Sequence, residues 1–111
     1  MPNLVAERRA FPRYPLILAA EVVESATGVR LKSRTSDVSR SGCYVDTLNP
    51  MPAGTLVRVI LTHNGESIEM PARIVYASPG LGMGVCFENP IPPGHVAILG
   101  GWLAAIARST R

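Results

Sequence analysis

Hydrophobic and polar positions alternate along this chain in short runs that are typical of β-strands. Six such runs, each bounded by Gly, Pro, Asn or Ser, predict strands at 16–24, 29–36, 43–47, 55–62, 67–76 and 81–87. Asn64-Gly65 is a hairpin signal between the fourth and fifth runs. Pro71 lies inside the fifth run and predicts an edge, a bend or a bulge there. Strands of this length and spacing indicate a small all-β barrel or sandwich.

The stretch from His95 to Arg108 follows a helical pattern instead. Its apolar residues recur at helical spacing, at Val96, Leu99, Leu103 and Ile106. Gly100-Gly101 lies in the middle and disfavours helix, so a kink or two short helices is an alternative to one helix. Because the segment is apolar most of the way round, it either caps the barrel or forms a surface for a homo-oligomer or a partner.

Composition restricts the class of protein. The chain has 111 residues, of which 47% are hydrophobic and 17% charged, and this fits one folded domain. No apolar run approaches the roughly 18 to 20 residues of a membrane span. The N-terminus has no signal-peptide pattern, so we expect a cytoplasmic protein. Cys43 and Cys86 lack metal-ligand or redox spacing and are expected to be buried thiols.

Residues that could support catalysis are scattered. His63 and His95 have no Asp, Glu or Cys at ligand spacing, and no two carboxylates form a suggestive pair. Phosphate-binding loops, nucleophile elbows and zinc-protease motifs are absent from the sequence. We therefore expect no enzyme activity, no metal and no cofactor.

The positive charge is unevenly distributed. Lys and Arg number 11 against 8 Asp and Glu, and seven of the eleven cations lie in the first 40 residues. Ten of the cations are Arg, whose planar group binds phosphate and stacks on flat rings. A codon bias would give the same excess of Arg, but the clustering favours an anionic ligand.

Two short motifs lie in this basic half. Arg9 and Arg13 form an RxxxR pattern, of which about one is expected by chance at this Arg content, and Arg30 with Arg34 forms a second. The loop that starts at Asp37 has the pattern [DN]xSxxG, for which we expect only roughly 0.04 chance occurrences in such a chain. The two motifs in this order are a stronger signal than either alone.

With these motifs the chain resembles a PilZ domain. The matching residues are Arg9, Arg13, Asp37, Ser39 and Gly42, and residues 82–87 resemble the last barrel strand of that family. The resemblance implies an all-β fold, a six-stranded antiparallel β-barrel with a C-terminal α-helix over residues 15–111. It also implies an Arg-rich ligand-binding segment at residues 1–14, which we expect to be flexible because it is polar and contains prolines.

The resemblance implies a receptor for cyclic di-GMP. Arginines can bind the phosphates or guanine edges, and a carboxylate can accept hydrogen bonds from the N1–H and amino group of guanine, which selects guanine over adenine. The expected ligand-binding residues are Arg8, Arg9, Arg13, Asp37, Ser39 and Gly42, with Arg40 as an additional contact. By resemblance, Arg8 occupies a position that influences whether one ligand or a stacked pair binds. Gly42 either makes room for the ligand or supplies a positive φ.

The predicted mechanism is closure of the N-terminal segment over the ligand, which creates a surface for an unidentified downstream protein. The alternative is a PilZ-fold interaction module that does not bind nucleotide. A barrel that binds nucleic acid is disfavoured, because only 5% of the residues are aromatic and few could stack on bases.

Overall fold

The computed structural model describes residues 11–109. Along the chain it contains β1 (Ala19–Glu24), β2 (Arg30–Val38), β3 (Gly42–Asp46), β4 (Leu56–His63), β5 (Glu66–Ser78), β6 (Gly82–Phe87) and α1 (Pro93–Ser109). The strands pair antiparallel and close into a barrel in the order β1, β2, β3, β6, β5, β4. This architecture confirms the predicted six-stranded barrel with a C-terminal helix.

The barrel interior is filled by alternate residues of each strand. In β4 the side chains of Val57, Val59 and Leu61 are buried while those of Leu56 and Arg58 are exposed. This is the period of two that the sequence shows. Asn64 and Gly65 both have positive φ, as the tight turn between β4 and β5 requires.

The first strand begins later than the sequence predicts, at Ala19 rather than Leu16. The residues just before β1 are instead hydrogen-bonded by the buried side chain of Thr35 in β2. Its Oγ1 accepts a hydrogen bond from the Leu18 amide at 2.9 Å and donates one to the Leu16 carbonyl at 2.8 Å. The Leu16 and Leu18 side chains nevertheless enter the core.

Pro71 lies within β5 without a shift in register. It pairs with Arg58 of β4, and the register shift of β5 falls later, between Ile74 and Tyr76. The Pro71 carbonyl accepts a hydrogen bond from the Glu88 amide, just beyond the end of β6. In an antiparallel ladder, the amide and the carbonyl of one residue point to the same neighbouring strand. The N–H that Pro71 lacks would therefore point to the chain just beyond β6, where the β5–β6 ladder ends. Proline is tolerated here for that reason. Of the predicted edge, bend or bulge, the structure excludes a bulge at Pro71, which lies where the β5–β6 pairing ends.

The helix α1 is continuous through Gly100 and Gly101, so the alternative of two short helices was wrong. Leu99, Trp102 and Leu103 are buried, and Trp102 meets the His63 ring edge-on with the ring centroids 5.4 Å apart. This packing against the barrel outweighs the low helix propensity of two glycines. Within the described residues, no helix is both long and apolar enough to span a membrane.

Candidate ligand-binding site

A register shift in β2 determines where Asp37 points. The shift lies between Thr35 and Asp37, and it pairs Asp37 with Tyr44 of β3. Bulges of this kind redirect a side chain. Asp37 is therefore a strand residue, not the loop residue that the sequence predicts. Its Oδ1 is buried and has no hydrogen-bond partner among residues 11–109.

The turn that follows, residues 39–42, is organised by the Ser39 side chain. Ser39 is buried, and its Oγ accepts hydrogen bonds from the amides of Ser41 at 3.1 Å and Gly42 at 3.2 Å. The Ser39 amide in turn donates to the Gly42 carbonyl at 2.8 Å. The hydroxyl thus satisfies backbone groups of the turn, as a Ser side chain commonly does.

Gly42 is required by the packing of strands. A Cβ atom at Gly42 would lie 2.1 Å from the carbonyl oxygen of Val85, which belongs to the neighbouring strand β6. Gly42 is not among the residues with positive φ, so the predicted alternative of a positive φ was wrong. The close approach of β3 and β6 explains why this motif ends in glycine.

The two sequence motifs are joined by one short backbone contact. Tyr14 and Val38 form an isolated antiparallel bridge, with N–O distances of 2.9 and 3.0 Å. In such a bridge the next residues outward, Arg13 and Ser39, face each other across the two segments. The bridge therefore places the second Arg of RxxxR beside the loop motif.

Arg13 and the turn line a cleft on the outer face of β3, β6 and β5, with a volume of about 130 Å³. We call it the motif cleft. Its lining comprises Arg13, Ser39, Ser41, Gly42, Cys43, Tyr44, Val75, Tyr76, Gly84, Val85 and Cys86. Arg13, Ser39 and Gly42 are thus brought together, and Asp37 lies next to the cleft as the strand partner of Tyr44.

Two tyrosines of the cleft were not predicted from the sequence. The rings of Tyr44 and Tyr76 have centroids 6.1 Å apart and are tilted by 42°. They cover Gly82 and Gly84, where a Cβ would lie within 2.5 Å of the tyrosine rings. The alternate glycines in the sixth run were the available signal, because bare backbone leaves room for rings from the adjacent strands.

Ion pairs separate the arginines into two groups. Four arginines on the barrel surface, Arg30, Arg34, Arg58 and Arg73, pair with Glu21, Asp46, Glu69 and Glu88. In residues 11–109, Arg13, Arg40 and Arg108 have no such carboxylate partner. A guanidinium without a carboxylate retains its capacity to bind an anion.

Arg40 does not reach the motif cleft. It extends from the other side of the turn towards α1, where its guanidinium is 3.7 Å from the position of a Cβ on Gly100. There it lines a second cleft of about 180 Å³, together with Phe11, Pro12, Tyr14, Gly100, Leu103, Ala104 and Ala107. We call this second cleft the helix groove. Arg8 and Arg9, the remaining predicted ligand residues, lie outside the described part of the chain.

Comparison with known proteins identifies the family. The family model of the PilZ domain matches residues 7–105, which is most of the chain. The chain belongs to the PilZ domain family. PilZ domains are generally cyclic di-GMP receptors or adaptors and are typically not enzymes.

Two solved structures share the PilZ fold seen here. The Bacillus subtilis inhibitor of motility (MotI/DgrA) superposes with a TM-score of 0.75 at 16% identity, over 94% of this chain and 53% of that protein. This chain thus spans about half the length of that relative. The PilZ domain of CeSA from a cellulose-synthesizing bacterium has a TM-score of 0.63 at 20% identity, over 90% of this chain and 99% of that domain. No curated protein matches the sequence.

The two cysteines of this PilZ domain are free thiols in different environments. Cys43 is buried, and burial followed by the charge of Asp37 raises its pKa from 9.0 to about 12. Cys86 is half-buried and lines the motif cleft. Among residues 11–109, no group of three or more His, Cys, Asp or Glu is placed to hold a metal ion.

Proposed function

We propose that this PilZ domain is a receptor for cyclic di-GMP and that the motif cleft with Asp37 forms the described part of its binding site. One observation carries the proposal. The Tyr14–Val38 bridge brings Arg13, which has no carboxylate partner in residues 11–109, beside a turn preceded by a buried carboxylate oxygen without a partner. A cation and an unsatisfied acceptor on one face suit a ligand that carries both phosphates and N–H donors.

Asp37 supplies selectivity for guanine in this proposal. Leaving a buried acceptor unsatisfied costs about 1–3 kcal/mol, and more for a charged group, so a donor from the ligand is favourable there. Guanine offers N1–H and amino donors on one edge, whereas adenine does not offer that pair. Tyr44, the strand partner of Asp37, lines the motif cleft and supplies an aromatic ring on which a base can stack.

The size of the cleft supports a contribution from the N-terminal segment. Its volume of about 130 Å³ is well below the roughly 300–1,000 Å³ of sites that enclose a drug-sized ligand. The cleft therefore contacts part of a dinucleotide, and the remainder needs a second wall. We propose that residues 1–14 provide that wall by closing over the ligand, and that Arg8 and Arg9 bind it there.

Calorimetric titration with cyclic di-GMP tests the proposal. The intact protein should bind with saturation, and Arg13→Ala should weaken binding by at least about tenfold, since a charge-assisted hydrogen bond contributes about 1.5–3 kcal/mol. Arg30→Ala is the matched control, because Arg30 pairs with Glu21 away from the cleft. Cyclic di-AMP should bind much more weakly than cyclic di-GMP.

Stoichiometry and hydrogen exchange test the N-terminal segment. Two ligands per chain in the intact protein and one in Arg8→Ala would agree with a stacked pair that depends on Arg8. Slower amide exchange in residues 1–14 with ligand would agree with closure. If a folded protein free of copurified nucleotide takes up no cyclic di-GMP, the receptor proposal fails. The interaction module that binds no nucleotide then becomes the better interpretation.

A further inference from the structure

The helix groove lies apart from the proposed nucleotide site, and its lining is mostly apolar. Leu103 forms a buried part of its lining, while Phe11 and Ala104 are exposed at its surface. Apart from Arg40 and the Tyr14 hydroxyl, the side chains that line it carry no polar group. A volume of about 180 Å³ is again below that of common small-molecule sites, and an apolar lining suits a side chain of a partner protein.

Within residues 11–109, the charged side chains identified beside the helix groove are both cationic. Arg40 lies in it, and Arg108 stands one turn of α1 after Ala104, so both cations flank the same apolar surface. Neither residues 11–18 nor α1 contains an Asp or Glu. Elsewhere on the barrel, four arginines are neutralised by carboxylates.

We propose that the helix groove docks an acidic, amphipathic segment of the downstream partner. An apolar side chain of that segment would sit over Leu103 and Ala104, and its carboxylates would pair with Arg40 and Arg108. The proposal deepens the proposed receptor function by naming the chemistry of its partner. The turn that carries Arg40 also lines the motif cleft through Ser39 and Ser41, so the two sites share one structural element.

The test uses two labelled peptides of about 15 residues with the same Leu positions at helical spacing, one with Glu and one with Lys at the polar positions. Fluorescence anisotropy of the full chain without nucleotide should show the Glu peptide binding at least about tenfold tighter. Arg40→Ala and Arg108→Ala should each weaken it by roughly threefold to fivefold at low salt. Lys32→Ala removes a cation on the far strand face and should have no effect.

The site is located by amide chemical shifts and by a second variant. Shifts on addition of the Glu peptide should concentrate at Phe11, Arg40, Gly100 and Ala104, and Ala104→Glu should abolish binding while the melting temperature is retained. No binding, equal binding of both peptides, or an unaffected Arg40→Ala would each overturn the proposal. Concentration-dependent dimers that Ala104→Glu abolishes would also overturn it, because a second copy would then occupy the groove.

The receptor proposal and the docking proposal can be contradicted independently of each other. Arg13→Ala should lose cyclic di-GMP and keep the Glu peptide, because Arg13 lines the motif cleft and is not part of the helix-groove lining. If the intact protein binds the Glu peptide but not cyclic di-GMP, the receptor proposal alone is contradicted. Normal nucleotide binding without peptide binding contradicts the docking proposal alone.

Discussion

At the scale of single residues, Asp37 is held in a costly environment by the rest of the barrel. One of its carboxylate oxygens is buried without a hydrogen-bond partner among residues 11–109, and its charge adds to burial in raising the pKa of Cys43. A group that destabilises the free protein and suits a ligand is typical of a binding site, where stability is exchanged for function.

Asp37→Ala should therefore stabilise the ligand-free protein while it weakens the binding of cyclic di-GMP. The expected gain in the free energy of unfolding is about 1 kcal/mol, the lower end of the cost of an unsatisfied buried acceptor. Urea denaturation without ligand measures it, with titration calorimetry in parallel. Asp46→Ala is the control, since Asp46 pairs with Arg34 on the exposed surface. A clear loss of stability in Asp37→Ala would mean that the carboxylate supports the fold instead.

The raised pKa of Cys43 implies that the stability of the fold depends on pH at alkaline values. Its pKa is raised from 9.0 to about 12 in the folded protein, so the unfolded chain releases this proton at lower pH than the native one. The stabilisation from the neutral thiol is complete below pH 9 and is lost as the pH rises from 9 towards 12. The free energy of unfolding should fall by up to about 1.4 kcal/mol for each pH unit in that range. In Cys43→Ala the fall should be shallower; the same slope in both proteins would contradict the assignment.

At the scale of elements, glycine acts differently in strand and helix. Gly42 faces a carbonyl oxygen of β6 that a Cβ would approach to 2.1 Å, whereas nothing lies within 4 Å of a Cβ at Gly101 in α1. Gly42 is needed for β3 and β6 to pair, whereas Gly101 only lowers the helix propensity of α1.

Gly42→Ala should destabilise the barrel by about 3 kcal/mol, the upper end for overpacking, because the obstacle is backbone that cannot rotate away. Gly101→Ala should stabilise the protein by about 0.5–1 kcal/mol through helix propensity. Thermal melts of both variants provide the comparison. If Gly42→Ala melted like the parent but lost cyclic di-GMP, Gly42 would serve the ligand and not the strands.

At the scale of the whole molecule, the ion pairs decide which arginines can bind an anion. Four arginines of the barrel surface pair with carboxylates, whereas Arg13 and Arg40 have no carboxylate partner among residues 11–109 and lie on opposite sides of the turn at residues 39–42. The surface is therefore suited to a small anion at that turn and not to a long polyanion along the barrel.

Salt should accordingly have a modest effect on ligand affinity. Cyclic di-GMP has two phosphates. Raising the salt concentration from 50 to 200 mM should therefore weaken its binding far less than the roughly 10³-fold loss of affinity seen for proteins that contact many phosphates. At a ligand concentration of about 100 Kd, binding should add about 2.7 kcal/mol and raise the melting temperature by roughly 10 °C. A steep salt dependence together with binding of single-stranded oligonucleotides would favour a nucleic-acid barrel.

The sequence by itself determined the features that depend on neighbouring residues. The alternation of apolar positions predicted six strands, Asn64-Gly65 predicted the hairpin, and the two motifs with their spacing led to the family. These signals are local because strand alternation and turn conformation are set by a few consecutive residues.

Only the tertiary structure decided the contacts between distant residues. The register shift that aims Asp37, the strand that fixes Gly42, the tyrosines over Gly82 and Gly84, and the rotation of Arg40 towards α1 all depend on elements that are separate in the sequence. The helix persists through Gly100-Gly101 for the same reason, since packing of its buried face outweighs local propensity. The motifs identify residues, but barrel closure determines which of them line the motif cleft, which support the turn and which face the helix.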